Sequence, residues 1–334
     1  MVSVQQLTKK FGRQVAVNSL TFEVQKGEVL GFLGPNGAGK TTTMRMITGY
    51  LPPSGGRVKI DGFDLYDDPI EVKRRIGYLP ENPPVYPELT VRQYLEFVAE
   101  IKDVPVSRRR AAVDRALERA QLGEVRDKRV GKLSKGFKQR VGLGQAIVHE
   151  PPVLILDEPT SSLDPKQRVE VRELISHLKG DHTVILSTHI LPEVSEIADR
   201  VFILNRGHVM AVDTPANLSD RLRAREMVTV QLRVPASAAA SQSAKRWEDV
   251  RTAFNALPGV AEVSVHPVDD MLNVRLESAV GVDLRPEVAP LVVGRGWQLL
   301  GLAADSLSLE QIFLTLVSDE NQEARLKPGS PTES

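Results

Sequence analysis

Residues 34–42 read Gly34-Pro35-Asn36-Gly37-Ala38-Gly39-Lys40-Thr41-Thr42. This stretch decides the fold class, because it fits the phosphate-binding pattern G-x-x-x-x-G-K-[ST]. The apolar run Val29–Leu33 before it predicts a buried strand, and residues 42–47 after it predict a helix. A glycine loop between strand and helix turns backbone N–H groups and the helix N-terminus toward one anion. We therefore expect a bound nucleoside triphosphate, with Lys40 on the β- and γ-phosphates and the Thr41 hydroxyl on Mg²⁺.

Composition limits the possible classes of protein. The chain has 334 residues, enough for two domains, and Lys+Arg and Asp+Glu both number 43. This balance gives no reason to expect a nucleic-acid partner. Cysteine is absent, which excludes a disulfide framework and suits the cytoplasm. Neither a signal-peptide pattern nor an apolar run of about 18 residues is visible, so any membrane role requires a partner chain.

Basic side chains crowd one part of the sequence. They are Arg108, Arg109, Arg110, Arg115, Arg119, Arg126, Lys128, Arg129, Lys132, Lys135, Lys138 and Arg140. A solvated helical face explains them, and a docking surface is the alternative.

Residues 1–218 are predicted to form one α/β nucleotide-binding domain with a mostly parallel sheet. Strands are predicted at Val2–Val4, Gln14–Val17, Leu20–Val24, Val29–Leu33, Arg57–Ile60, Pro152–Leu156, Val184–Ser187 and Val201–Leu204. The unbroken apolar character of the later strands is typical of parallel strands buried on both faces. A helical pattern runs from Thr90, a predicted N-cap, to about Arg119.

Residues 219–320 are predicted to form a small α+β accessory domain. Its elements follow the order β-α-β-β-α-β, which is typical of a ferredoxin-like domain. The pattern then predicts a last amphipathic helix with Leu309, Ile312, Phe313 and Leu316 on one face. Residues 321–334 are polar and are predicted to be a disordered tail. No catalytic pattern is visible in this region.

Two carboxylates follow the apolar run Val153–Leu156. A buried strand tolerates charge at its mouth, where a cation or substrate compensates it. Asp157 suits a Mg²⁺ shell, and Glu158 suits the polarisation of an attacking water. The alternative is a solvated acidic turn.

Further segments of the sequence carry a family resemblance. They are Phe11, Leu133-Ser134-Lys135-Gly136-Phe137-Lys138-Gln139-Arg140, Ser161-Ser162-Leu163-Asp164-Pro165 and Ser187-Thr188-His189. With the phosphate loop, they resemble the ATPase subunit of ATP-binding-cassette (ABC) transporters over residues 1–218. The second segment looks like the signature motif LSGGQ, the third matches the D-loop and the fourth matches the switch histidine. Phe11 stands where an aromatic ring stacks on adenine in that family.

The resemblance implies a P-loop ATPase of the ABC type. That fold has a mixed sheet core, an antiparallel β patch and a helical subdomain, here at about residues 85–145. It also implies a head-to-tail dimer that sandwiches ATP, with Ser134 and Gly136 of one chain completing the γ-phosphate site of the other. Glu158 would be the general base, His189 would hold the γ-phosphate and the water, and Asp164 would link the sites. The predicted ATP-binding residues are thus Phe11, Asn36, Gly37, Ala38, Gly39, Lys40, Thr41, Thr42, Ser134, Gly136 and Asp164, and the Mg²⁺ ligands are Thr41, Glu81 and Asp157.

Three positions depart from the family pattern. Lys135 replaces a glycine and Phe137 a glutamine in the signature, while Ser134 and Gly136 are kept. Glu81 stands where the family's Q-loop glutamine contacts Mg²⁺. Its carboxylate would either bind the metal with more charge or be repelled by the phosphates, and a simple surface turn is the alternative.

These departures and the ending Leu309–Leu314 resemble one branch of the family. Its members are ATPases of bacterial exporters of the drug-resistance and gliding-motility type, with an extra C-terminal domain. The resemblance implies integral membrane permease subunits as partners and a cytoplasmic position on the inner face of the cell membrane. A non-transport ABC-type ATPase acting on a soluble assembly is the alternative. A nucleotide-binding regulator without turnover conflicts with the presence of Glu158 and His189.

Overall fold

A computed structural model describes residues 1–161, 163–222, 227–235, 243–268, 271–278 and 282–305. The chain divides into two compact units, Met1–Pro215 and a second that begins at Ala216. Sequence analysis places the boundary after residue 218 instead. The predicted C-terminal helix and the predicted disordered tail lie outside the described residues. Within those residues, no helix is both long and apolar enough to cross a membrane.

The first unit alternates strands and helices. In chain order it contains β1 (Val2–Phe11), β2 (Gln14–Val24), β3 (Val29–Leu33), α1 (Lys40–Ile47), β4 (Gly55–Ile60), β5 (Phe63–Asp64), α2 (Pro69–Arg74), β6 (Ile76–Leu79), α3 (Val91–Ile101), α4 (Val106–Arg119), α5 (Lys135–Ile147), β7 (Val153–Asp157), α6 (Pro165–His177), β8 (Thr183–Thr188), α7 (Leu191–Ile197), β9 (Arg200–Asn205) and β10 (His208–Asp213). Short 3₁₀ turns at Gly123–Val125 and Val130–Lys132 join α4 to α5.

A six-stranded sheet positions the site, with strand order β10-β9-β3-β8-β7-β6. Strands β9, β3, β8, β7 and β6 pair in parallel, and β10 is an antiparallel edge strand. Strands β3, β7 and β8 are buried along their whole length, as their apolar sequences predict. Their carboxyl ends therefore meet at one edge of the sheet, where ligands bind in open α/β sheets.

A second, antiparallel sheet has the strand order β2-β1-β4-β5. Sequence analysis splits β2 into two strands, whereas the structure has one continuous strand. Ser19 lies within it at φ 50°, so the strand bends there without ending. A turn at Asp61-Gly62 links β4 to β5, and both of its residues have positive φ. Side chains of both sheets share one apolar core, which includes the stacked rings of Phe32 and Phe202.

Two helices replace the single helical stretch predicted from Thr90 to Arg119. Helix α3 begins at the predicted cap, where the Thr90 hydroxyl accepts a hydrogen bond from the Gln93 N–H. The chain then turns between Ile101 and Val106. Asp103 has φ 56°, and Pro105 supplies no N–H, so one helix cannot continue through this segment.

The second unit contains β11 (Met227–Arg233), α9 (Ser243–Asn255), β12 (Val260–Val268), β13 (Met271–Ser278), α10 (Arg285–Gly294) and β14 (Gln298–Asp305), preceded by α8 (Pro215–Leu222). From β11 onward the element order is the predicted β-α-β-β-α-β. The strands form an antiparallel sheet in the order β12-β13-β11-β14. Its core holds Val230, Phe254, Val274 and Val288. The assignment of this unit to the ferredoxin-like group stays a prediction.

Candidate functional site

The glycine loop joins β3 to α1, which begins at Lys40 rather than at the predicted Thr42. Gly39 caps this helix at φ 104°, in the left-handed region. A Cβ atom on Gly39 would lie 2.6 Å from the carbonyl oxygen of Ala16, so a larger residue would displace the loop. The glycine therefore fixes where the first turn of α1 starts and where Lys40 stands.

The Lys40 side chain is 5% exposed and its ammonium is surrounded by oxygen atoms. Its Nζ donates to the carbonyl oxygens of Gly34 (2.7 Å) and Pro35 (3.1 Å). The Glu158 Oε1 atom lies 3.2 Å from the same nitrogen. This buried cation beside backbone N–H groups is what an anionic phosphate chain requires.

Asp157 ends β7 and is 1% exposed. Its Oδ1 atom accepts hydrogen bonds from the hydroxyls of Thr41 (3.1 Å) and Ser187 (2.6 Å). Burial raises the pKa of the Asp157 carboxyl, and these two hydrogen bonds oppose the rise. A cation bound at this carboxylate would offset the cost of burying its charge.

The residues present fit a Mg²⁺ ion. Thr41 and Asp157 place a hydroxyl and a carboxylate oxygen side by side. Among the described residues, no group of three or more His, Cys, Asp or Glu side chains could hold a metal by itself. Mg²⁺ usually binds through one or two protein oxygens together with substrate phosphates and water. The oxygens of Thr41 and Asp157 are therefore enough protein ligands for a Mg²⁺ ion.

Glu158 follows directly, and its backbone has φ 49°. Its N–H donates to the carbonyl oxygen (3.1 Å) and the hydroxyl (3.0 Å) of Ser187, which hold it in this uncommon conformation. The Oε1 atom faces Lys40, and Oε2 lies 2.8 Å from the His189 Nδ1 atom. The carboxylate is thus fixed between a cation and an imidazole, at the ends of β7 and β8.

Lys40, Thr41, Glu158 and His189 line one cavity of about 370 Å³, and the buried Asp157 is not part of its lining. Its lining consists of Ala16, Asn36, Gly37, Gly39, Lys40, Thr41, Thr42, Glu81, Glu158, Ser161 and His189. Glu81 accepts a hydrogen bond from the Ser161 hydroxyl at 3.4 Å, and its charge adds to the factors that raise the pKa of Asp157. Glu81 therefore belongs to the site by position, rather than to a remote surface turn.

Other predicted site residues lie outside this cavity lining. Ala38 is buried beneath the loop, and Phe11 is half-exposed at the end of β1, with the Lys9 ammonium 5.2 Å from its ring centroid. Ser134 caps α5, and it lines a separate cavity of about 50 Å³ together with Gly136. The Asp164 carboxylate caps α6 by accepting from the Gln167 N–H at 2.9 Å.

Sequence analysis missed the parts played by Ser187 and Ser161. The Ser187 hydroxyl contacts Asp157 at the end of β7 and the N–H of Glu158 directly after it, and Ser161 contacts Glu81. The available signal was the position of a polar Ser187 at the end of an otherwise apolar strand. A buried hydroxyl there needs partners, and the neighbouring strand end supplies them.

Strand, glycine loop, helix, buried lysine and paired carboxylates define a P-loop nucleotide-binding protein. Residues 17–161 match the ABC transporter family, and residues 129–196 also match an AAA domain. The bacitracin transport ATP-binding protein BcrA of Bacillus licheniformis is 40% identical, with 63% of this chain and 68% of that protein covered. The daunorubicin resistance ATP-binding protein DrrA3 of Streptomyces coeruleorubidus is 33% identical, with 96% and 97% covered. This chain therefore belongs to the ABC transporter ATP-binding proteins.

Solved structures agree with this assignment. An ATP-binding subunit of an ABC transporter is 32% identical and superposes with a TM-score of 0.60, over 66% of this chain and 92% of its own. A bacterial ABC transporter cassette solved as a dimer is 27% identical with a TM-score of 0.59, over 64% and 98%. The predicted P-loop ATPase fold of the ABC type is confirmed.

Proposed function

We propose that this chain is the Mg²⁺-dependent, ATP-hydrolysing subunit of a bacterial exporter and drives separate membrane subunits. One observation carries the catalytic part of the proposal. The Glu158 carboxylate is held between Lys40 (3.2 Å) and His189 (2.8 Å), in the cavity lined by the phosphate loop. A nucleotide cavity with a carboxylate at its wall suits hydrolysis more than simple binding.

The chain's own groups divide the work. Backbone N–H groups of residues 36–42 and the Lys40 ammonium hold the phosphates, and Phe11 stacks on the base. Thr41, Asp157 and Glu81 hold Mg²⁺, which supplies charge neutralisation on the phosphates when bound. Lys40 exchanges its contacts with Gly34, Pro35 and Glu158 for phosphate oxygens.

Glu158 acts as the general base in this proposal. Once Lys40 turns to phosphate, the Glu158 carboxylate is available to orient a water molecule and accept its proton. His189 Nδ1 fixes the orientation of that carboxylate, and its ring is partly exposed toward the cavity. From that position the imidazole stabilises charge on the γ-phosphate as the bond to it breaks.

A head-to-tail dimer completes the site. Ser134 and Gly136 lie at the start of α5, in a cavity apart from the phosphate loop. The N-terminus of a helix is suited to an anion, so a second chain's ATP is its natural occupant. Asp164 would then lie between the two sites. A related cassette solved as a dimer supports the pairing of two chains.

The exporter assignment rests on the relatives. Two that match nearly the whole chain are ATP-binding proteins for daunorubicin resistance and for linearmycin resistance, the second from Bacillus subtilis at 29% identity over 98% of its length. We infer permease partners and a position on the inner face of the membrane. The chain should co-purify with permease subunits from detergent-solubilised membranes. Recovery with a soluble assembly instead would favour the non-transport alternative.

The variant Glu158→Gln tests the assignment of the base. Glutamine keeps the size of the side chain but accepts protons poorly, so hydrolysis should fall by at least about 100-fold. ATP binding should persist, and the ATP-bound dimer should accumulate on a sizing column. Glu173→Gln, at an exposed position of α6, serves as a matched control with unchanged turnover. A Glu158→Gln chain that stays monomeric with ATP and hydrolyses it normally would refute the assignment.

A further inference from the structure

A buried carboxylate lies directly behind the site and has no part in the chemistry described above. Glu193, on α7, is 4% exposed. Its Oε2 atom accepts two hydrogen bonds, from the hydroxyls of Thr160 (2.6 Å) and Thr188 (2.9 Å). Its Oε1 atom is buried and has no hydrogen-bond partner among the described residues. Burying a carboxylate with an unpaired oxygen costs folding free energy, so its presence here needs an explanation.

The two hydroxyls belong to the two loops that carry the proposed chemistry. Thr160 lies two residues after Glu158, and Thr188 immediately precedes His189. Both threonines are buried, at 2% and 0% exposure. The Thr188 hydroxyl also accepts from the Ile190 N–H at 3.0 Å, which fixes the turn after His189. Glu193 is therefore a single point to which both loops are attached.

We propose that Glu193 is a positioning residue, which holds the Glu158 loop and the His189 loop in register for hydrolysis. The inference rests on the proposed ATPase function. Within the cavity, the two loops are joined by the 2.8 Å contact between Glu158 and His189. Their buried threonines are joined by Glu193, which forms no hydrogen bond with Glu158 or His189 in the described part of the chain.

The geometry of the contact explains how one side chain attaches both loops. Both hydroxyls donate to the same carboxylate oxygen, at 2.6 Å from Thr160 and 2.9 Å from Thr188. Two donors on one oxygen also fix both threonine rotamers. The backbone of Glu158 is strained at φ 49°, and the contact between Thr160 and Glu193 fixes the segment that follows it.

Substitution of Glu193 should change turnover and leave ATP affinity unchanged. For Glu193→Ala we expect kcat to fall by about tenfold, equivalent to about 1.4 kcal/mol, with KM for ATP within about twofold of the parent. Glu193→Gln keeps an acceptor oxygen for both hydroxyls and should recover most of the lost kcat. A fall in kcat no larger in Glu193→Ala than in the control below would overturn the proposal.

Thr183 provides the matched control. It lies on β8 like Thr188, is 1% exposed, and its hydroxyl accepts from the Gly27 N–H at 3.0 Å, at the opposite end of the strand. Thr188→Val and Thr183→Val each remove one buried hydroxyl from the same strand. Only Thr188→Val should lower kcat, and Thr188→Ser should restore it. Equal kcat in both valine variants would count against the positioning role of Glu193, even where Glu193→Ala fails to fold.

The imidazole NMR signals of His189 give a readout that does not depend on hydrolysis. Assigned by their loss in His189→Asn, they should shift in Glu193→Ala and in Thr188→Val, and stay in place in Glu193→Gln and in Thr183→Val. Unshifted signals in Glu193→Ala and Thr188→Val would refute the positioning role of Glu193. If the parent chain does not hydrolyse ATP but the His189 signals shift in these variants as expected, the proposed ATPase function is refuted. The attachment of both loops to Glu193 would still hold.

Discussion

Burial of the Asp157 carboxyl opposes its ionisation in the folded chain. Its pKa is raised above the ordinary value by burial, so the folded state holds this proton more tightly than the unfolded state does. The stabilisation from the group is therefore complete below the unfolded pKa and is lost as the pH rises through the folded pKa. Above both pKa values the carboxylate is charged in both states, and its burial then makes the folded chain less stable.

Asp157→Asn should consequently stabilise the nucleotide-free protein while it destroys activity. We expect thermal unfolding at pH 7 to shift upward by a few degrees, corresponding to about 1 kcal/mol, together with loss of Mg²⁺-dependent hydrolysis. The gain should shrink in acid, where the aspartate is already neutral. Asp127→Asn, at an exposed surface position, is the control and should shift neither quantity. A lower midpoint for Asp157→Asn at pH 7 would contradict the sign of this effect.

At the residue scale, site residues marked by a local sequence pattern were predicted, whereas contacts between residues distant in sequence were not. The structure brings Lys40, Glu158, His189 and Glu81 to one cavity, although their roles stay predictions. Each was visible because a motif or a strand end marks it. Ser187 acts through Asp157, 30 positions away, and Glu193 through Thr160, 33 positions away. Contacts of that kind depend on which strand ends become neighbours, and one sequence does not show this.

Helix α3 is the element whose local design can be measured directly. Its capping box is complete: the Thr90 hydroxyl accepts from the Gln93 N–H, and the Gln93 side chain accepts from the Thr90 N–H. Thr90→Ala should lower the free energy of unfolding by about 1 kcal/mol, because an orphan N–H of the first turn loses its acceptor. Thr90→Ser keeps the oxygen and should stay near the parent in denaturant unfolding. Equal stability of the alanine and serine variants would show that the cap contributes nothing.

Element types were more predictable than element ends. The apolar runs of β3, β7 and β8 mark buried strands, since their sequences lack alternation. The break between α3 and α4 was missed although Pro105, at the N-cap of α4, is a sequence signal for it, because proline rarely continues a helix. The continuity of β2 was missed because its irregularity at Ser19 depends on pairing with β1.

At the scale of the whole molecule, the two halves of the proposed ATP site lie apart in one chain. Lys40 lines the phosphate-loop cavity, and Ser134 lines the cavity at the start of α5. A head-to-tail dimer would join them in trans, so each site would draw on both chains. If each site were instead completed within one chain, its ATP binding would not depend on the partner chain. Placing one substitution in each of two chains distinguishes these two arrangements.

The test mixes two inactive chains, both in the Glu158→Gln background so that bound ATP is retained. One carries Lys40→Ala, which removes the phosphate-binding cation, and the other Ser134→Arg, which blocks the signature. In a mixed head-to-tail pair, one site contains both substitutions and the other contains neither. We expect the mixture to retain ATP in a dimer, at about one ATP per mixed pair, while each chain alone retains none. Retention of ATP in a dimer by pure Ser134→Arg chains, or no such dimer in the mixture, would contradict completion of the site in trans.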